Sequence, residues 1–157
     1  SVERFVNGKS LGKQPCGKDT AFETQFQTTY EPGELVAVAY ENGTEIGRTS
    51  LKTHKKASGV VLSSERYETL AFVHVDIVDE DGLPAADSAA PLSIEVDGPA
   101  VLAAFGGVKA QHRLGYRHTD TTAGERHALA VLKLKKDAGT IRVKVTGEGL
   151  KESIIEL

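Results

Sequence analysis

The chain has 157 residues and a formal net charge of −3, with 39% hydrophobic and 26% charged residues, a composition typical of globular proteins. Its basic residues form no stripe, which disfavours nucleic-acid binding, and no apolar run approaches the ~20 residues that a membrane span needs. The single cysteine, Cys16, excludes an intrachain disulfide and a cysteine-based zinc site, and we expect it to be a small, partly buried residue.

The first 53 residues predict short strands joined by Asn-Gly hairpin turns. A strand-like run at residues 2–6 precedes one Asn-Gly pair, and the run at 34–40 precedes another at Asn42-Gly43. Both central residues of a type I′ turn need a positive φ, which Asn tolerates and Gly adopts at no steric cost. We therefore predict that residues 44–51 return as the partner strand of residues 34–40.

Residues 21–30, with the sequence AFETQFQTTY, allow two interpretations. Phe22, Phe26 and Tyr30 are four positions apart, a spacing that suits one face of a helix as well as alternate positions of a strand. The threonines, the aromatic residues and the neighbouring strands favour a strand. Residues 1–53 would then hold about five short strands, few for a free-standing sandwich.

The start of the chain also predicts a fragment. The sequence contains no Met, and it enters a strand-like run at residue 2. We expect a piece of a longer protein that is cut inside its first domain. Strands upstream of Ser1 should pair with or pack against this unit, so that their removal leaves an unpaired sheet edge at residues 2–6 and uncovers apolar side chains such as Phe5, Phe22 or Phe26. Such an edge can pair with another chain.

A polar stretch without periodicity follows the second hairpin, and it predicts a linker at residues 54–58. The linker separates a first domain, residues 1–53, from a second domain, residues 59–157. Within the second domain, residues 70–79 place Ala71, Val73, Val75 and Ile77 on one wholly apolar face, which must face the core.

The second domain predicts seven short strands joined by turns rather than helices, the pattern of an immunoglobulin-like sandwich. The predicted fold class is all-β, with two consecutive β-sandwich modules, the second immunoglobulin-like and the first incomplete at its N-terminus. The residues predicted to fill the core of the second module are Val73, Val75, Ile77, Ile94, Val131, Ile141, Val143 and Val145.

The densest group of carboxylates is Asp76, Asp79, Glu80 and Asp81. Our interpretation is a solvated strand face that runs into an Asp-Gly turn. A calcium site is a second reading, because oxygens at near-alternate positions of a turn can wrap a hard cation, although the EF-hand pattern is absent. Acid/base catalysis is a third.

Residues 108–126 are long, polar and rich in Gly, His and Arg, so we predict mostly loop. Tyr116, Arg117 and His118 are candidate carbohydrate contacts, since a tyrosine with basic neighbours can stack on a sugar ring and hydrogen-bond to it; His112 and Arg113 lie in the same loop. The absence of Trp weakens this reading, and packing against a neighbouring domain or simple solvation are the alternatives. The histidines have no metal-site spacing, and no cofactor motif occurs.

Two stretches resemble a known family. SVERFVNGKSLGK and YEPGELVAVAYENGTEIGRTSLKT are similar to paired hairpins in the accessory β-sandwich that follows the catalytic barrel of bacterial glycoside hydrolase family 2 proteins of the β-galactosidase type. Residues 59–157 resemble the immunoglobulin-like module after it, through VHVDIVDEDGLPAADS, LSIEVDGPAVLAAFG and HALAVLKLKKDAGTIRVKVTGEGL. Where the family usually has a Gly-Asn-Gly turn this chain has Gly106-Gly107, so no role is transferred there.

The resemblance implies a non-catalytic, structural region of a β-galactosidase-like hydrolase. The catalytic glutamates of the family lie in the barrel and nothing here matches them, so we expect no catalytic residue, metal or cofactor in this chain. The expected partner is the rest of the parent chain, its catalytic barrel and upstream sandwich domains, with carbohydrate as a further candidate. The alternative is an immunoglobulin-like adhesion or carbohydrate-binding module of a bacterial surface protein.

Overall fold

The computed structural model describes residues 1–107, 116–122, 126–136 and 139–157. These residues form strands and one short 3-10 turn, and they divide into two compact units, Ser1–Thr53 and His54–Leu157. The predicted all-β class is confirmed. The strands are β1 (Val2–Val6), β2 (Lys9–Gln14), β3 (Glu34–Glu41), β4 (Thr44–Lys52), β5 (Ala57–Arg66), β6 (Leu70–Asp79), β7 (Pro91–Asp97), β8 (Ala100–Gly107), β9 (Asp120–Thr122), β10 (His127–Leu134), β11 (Arg142–Gly147) and β12 (Leu150–Glu156).

The first unit is one antiparallel sheet with the strand order β2-β1-β3-β4. Both Asn-Gly pairs form the predicted hairpin turns, with φ values of 49° and 78° at Asn7 and Gly8 and of 48° and 83° at Asn42 and Gly43. β3 and β4 pair from Glu34↔Lys52 to Glu41↔Thr44. Local turn chemistry therefore sets the register of this sheet.

The expectation that residues 2–6 form a sheet edge is wrong. β1 pairs with β2 on one side and with β3 on the other, so its backbone groups are satisfied within the unit and the edges are β2 and β4. The hairpin to β2 occupies one side of β1, while the longer connection to β3 returns to the other side.

Residues 21–30 also differ from the prediction, because they form no strand. A 3-10 turn at Lys18–Thr20 precedes them, and Ala21 and Phe22 adopt positive φ values of 52° and 61°, outside the range of a strand. The rest of the segment has no regular secondary structure. A strand needs a neighbour for its backbone groups, and no described strand pairs with this segment.

The second unit joins two antiparallel groups of four strands, β8-β10-β6-β5 and β12-β11-β7-β9, through one parallel pairing of Lys151 with Gly59. Side chains from both groups meet in a single core, as in an immunoglobulin-like sandwich. The core consists of Val60, Ala71, Val73, Val75, Ile77, Ala85, Leu92, Ile94, Ala100, Phe105, Ala128, Ala130, Leu132, Ile141, Val143 and Val145.

Seven of the eight predicted core residues are buried, and Val131 is the exception. Along β10 the fully buried positions are Ala128, Ala130 and Leu132, and Val131 is half-buried on the opposite face. Successive side chains of a strand point to opposite faces. The continuous apolar run of β10 did not reveal which face is inside.

The linker predicted at 54–58 is shorter than expected. β5 begins at Ala57, which pairs with Asp79 on β6, so the last two of these residues belong to a strand. The loop predicted at 108–126 likewise contains β9, whose residues pair with β7 from Pro91↔Thr122 to Ser93↔Asp120. Both differences arise from pairing with distant partners, which a local pattern does not show.

Candidate functional site

The carboxylate of Asp79 is buried at the end of β6, whereas the sequence predicted a solvated position. Its side chain, 2% exposed, accepts hydrogen bonds from three backbone amides: Lys55 at 2.7 Å, Asp81 at 2.9 Å and Leu83 at 2.8 Å. The hydrogen bond from the Lys55 amide is the main reason that the pKa of Asp79 lies below its usual range, and the other two bonds add to it. Burial acts in the opposite direction, because it raises the pKa of a carboxyl group. Asp79 therefore ties the entry into β5 to the turn after β6.

The neighbouring acidic side chains are engaged by a lysine. Lys55 Nζ lies 2.6 Å from Glu80 Oε1 and 2.9 Å from Asp81 Oδ2, and these contacts raise the pKa of Lys55. Within the described ranges no group of three His, Cys, Asp or Glu residues is placed to hold a metal ion. These contacts stabilise the turn, and they support neither a calcium site nor acid/base catalysis there.

A second ionic cluster lies on the outward face of β6 and was not predicted. Asp76 Oδ1 accepts a hydrogen bond from Arg126 Nη1 at 2.8 Å and lies 3.1 Å from His127 Nδ1. His74 is half-buried, with its ring 5.7 Å from that of His127 and its Nε2 3.6 Å from Glu65 Oε1. Asp76 and His127 meet as register partners of β6 and β10, some fifty residues apart in sequence, so no local signal could have found this cluster.

The three candidate carbohydrate contacts are all exposed. The backbone carbonyl of Tyr116 accepts a hydrogen bond of 2.7 Å from the Phe105 amide, and its ring lies so close to Gly106 that a Cβ there would overlap it. Arg117 and His118 follow at the surface. His112 and Arg113, which were named for the same loop, lie outside the described residues. Carbohydrate contact by this trio stays a prediction.

One sheet face of the first unit carries an open apolar groove. It lies between the sheet and residues 24–26, and Arg4 Nη1 closes one part of it by donating a hydrogen bond of 3.1 Å to the Phe26 carbonyl. Cys16 lies elsewhere in this unit and is half-buried as predicted. The groove is lined by Val2, Arg4, Thr24, Phe26, Leu35, Ala37, Thr49, Ser50 and Leu51.

No helix among the described residues is long and apolar enough to cross a membrane.

Comparison with known families gives two matches along the chain. Residues 61–156 match glycoside hydrolase family 2 C-terminal domain 5, and residues 1–47 match a domain of unknown function (DUF4982). The boundary between the two matches falls where the structure separates its two units.

Individual relatives point the same way. A putative β-glucuronidase of Formosa agariphila is 41% identical over 58 residues, 36% of this chain and 6% of that protein. A glycosyl hydrolase family 2 member from Bacteroides cellulosilyticus aligns at 25% identity with a TM-score of 0.84, over 99% of this chain and 22% of its own. A β-glycosidase from Bacteroides vulgatus shares the fold, with 22% identity and a TM-score of 0.79 over 99% of this chain and 21% of its own. The chain thus spans about a fifth of these solved structures.

Proposed function

We propose a structural function from one premise: the chain belongs to the family of glycoside hydrolase family 2 C-terminal domain 5. It is a non-catalytic C-terminal region of a family 2 glycosidase, and its proposed role is to stabilise the catalytic part of the parent protein. The observation that carries this proposal is the tandem of family matches at residues 1–47 and 61–156, together with the alignment of 99% of the chain to a family 2 structure. The adhesion module is not favoured by these matches.

The parent protein is proposed to hydrolyse β-glycosides. The sequence alone suggested a β-galactosidase, whereas the relatives are named β-glucuronidase and β-glycosidase. A β-glucuronide is therefore the first substrate to test and a β-galactoside the second, each as its aryl glycoside with the full-length parent. The isolated chain should hydrolyse neither, because the paired carboxyl groups that the reaction needs are expected in the barrel.

The proposed partners are the catalytic barrel and the upstream sandwich domains of the parent. Exposed large apolar side chains of the first unit support this proposal: Ile46 is 64% exposed and Leu51 70%, and Leu51 borders the apolar groove. Apolar surface of this kind commonly marks a contact site.

Deletion in the full-length parent tests the structural role. The parent without residues 1–157 should melt at a lower temperature and lose activity faster on heating, while kcat on a small aryl glycoside changes little at a temperature where both proteins are folded. A matched deletion of residues 54–157 alone separates the contributions of the two units. Equal melting temperature and equal inactivation rate in all three proteins would contradict the proposal.

A further inference from the structure

Residues 24–31 have no regular secondary structure and no hydrogen-bonded neighbouring strand. None of their amides and carbonyls forms a backbone–backbone hydrogen bond with another described residue. Backbone N–H and C=O groups in folded proteins are almost always paired when they are shielded from water. A segment in this state is an open position for strand addition.

The sequence of this segment alternates as a strand's does. Phe22, Thr24, Phe26, Thr28 and Tyr30 occupy the even positions, and polar residues occupy the odd positions between them. Thr24 and Phe26 are the half-buried members of the segment, and both line the apolar groove. Thr24 and Phe26 therefore face the sheet, whereas Thr28 and Tyr30 are exposed.

The sheet face beneath the segment is fixed by the strand register. Arg4 on β1 pairs with Ala37 on β3, and Ala37 pairs with Thr49 on β4. Two residues earlier on β3, and on the same face, Leu35 pairs with Leu51 on β4. All five line the groove, so the segment crosses one contiguous face.

Three side-chain contacts hold the segment in place without pairing its backbone as a ladder. Thr24 Oγ1 donates to Gln14 Oε1 at 3.0 Å, Arg4 donates to the Phe26 carbonyl, and the Tyr30 hydroxyl lies 3.2 Å from Thr53 Oγ1. The segment is thereby kept over the sheet at both its middle and its end. Its other backbone groups remain available.

We propose that residues 24–31 pair with an extended strand supplied by the parent polypeptide outside these 157 residues, completing a second layer over the apolar groove. This inference rests on the proposed function, which makes the chain about a fifth of a longer family 2 protein. The occupant is a peptide strand because the segment leaves its backbone groups unpaired beside the sheet-facing Thr24 and Phe26. A strand tethered in the same polypeptide reaches the site at high effective concentration.

Charge argues against a second copy of the segment as the occupant. Glu23 and Glu31 flank it, and it contains no Lys or Arg. Antiparallel self-pairing about Gln27 would place Glu23 opposite Glu31, and parallel in-register pairing would place each Glu opposite its own copy. Like charges in directly opposite positions destabilise a strand pair, so the partner strand should carry Lys or Arg near its ends.

Amide hydrogen exchange, followed by mass spectrometry, tests the pairing in the 157-residue chain and in the full-length parent. The amides of residues 24–31 should exchange almost as fast as an unfolded peptide in the short chain and at least about 100-fold more slowly in the parent. Equally fast exchange in both proteins would overturn the proposal. Slow exchange in the short chain that grows with concentration, together with a dimer by light scattering, would assign the site to a second copy and also overturn it.

Proline variants provide the second measurement. Gln27→Pro and Thr28→Pro remove amides that point to opposite edges of the segment, and Gln27→Ala and Thr28→Ala are matched controls that keep them. In the parent, at least one proline variant should melt several degrees below its alanine control, whereas in the short chain each pair should melt alike. Matching melting temperatures in the parent would also overturn the proposal. If deletion of residues 1–157 destabilises the parent but these tests fail, the structural role stands and the strand pairing does not.

Discussion

Asp79 shows how one side chain can fix the start of a domain. It binds the amide of Lys55 before β5 as well as two amides of the turn after β6. The Asp-Gly turn itself was predictable from the sequence. The burial of this one carboxylate was not, because it depends on a residue that lies 24 positions earlier.

Replacing Asp79 with Asn should lower the melting temperature of the second unit by roughly 5 °C at pH 7, because the neutral amide accepts these hydrogen bonds more weakly. The pKa of Asp79 is depressed in the folded protein. Its stabilising effect should therefore be fully present above the unfolded pKa of ~4 and disappear as the pH falls through the lower folded pKa.

Melting curves of both proteins between pH 7 and pH 2 check this prediction, with Asp81→Asn as the exposed control. The difference between the wild-type protein and Asp79→Asn should shrink at the acidic end. A difference that stays constant over this range would show that the charge of Asp79 does not stabilise the fold.

Carbohydrate contact by Tyr116, Arg117 and His118 can be tested on the same chain. Addition of galactose or glucuronate should shift the NMR signals of these residues, and Tyr116→Ala should weaken binding by about fivefold, since stacking on an aromatic ring is worth on the order of 1 kcal/mol. Tyr67, 57% exposed, is the control. Equal shifts for Tyr67 and Tyr116 would mean that the sugar has no preferred site at this loop.

At the scale of elements, the sequence predicted what depends on neighbours along the chain. Asn-Gly pairs identified the hairpins of β1 and β3, and the alternation of β6 identified its buried face. The interior position of β1 and the unpaired state of residues 21–30 depend on pairing between distant segments. The same limit explains why the cluster at Asp76 went unpredicted.

β10 offers a direct test of the inside and outside faces. Leu132→Ala should destabilise the second unit by ~2–5 kcal/mol, the usual cost of truncating a fully buried large aliphatic side chain, because Leu132 is 0% exposed. Val131→Ala, its neighbour on the half-buried face, should cost less than half as much. Urea denaturation measures both, and equal losses would contradict the observed orientation of β10.

At the scale of the whole molecule, the two units differ in how much apolar surface they bury. The second unit contains sixteen buried apolar residues among those described, whereas the first unit, which is described completely, contains one, Val38. A single sheet of 53 residues with an open apolar face has little hydrophobic stabilisation. Family membership rests on residues 61–156, which lie in the second unit.

We expect residues 1–53 to be the less stable unit. A chain of residues 54–157 should fold alone and melt within about 3 °C of the second transition of the whole chain, because its core lies entirely within it. A chain of residues 1–53 should show neither a cooperative transition nor slow amide exchange in β1. Calorimetry of the three chains, at concentrations where light scattering finds monomers, decides the matter. If residues 1–53 alone gave a cooperative transition at the temperature seen in the whole chain, the first unit would be a self-sufficient domain and the need for an added strand would lose its physical basis.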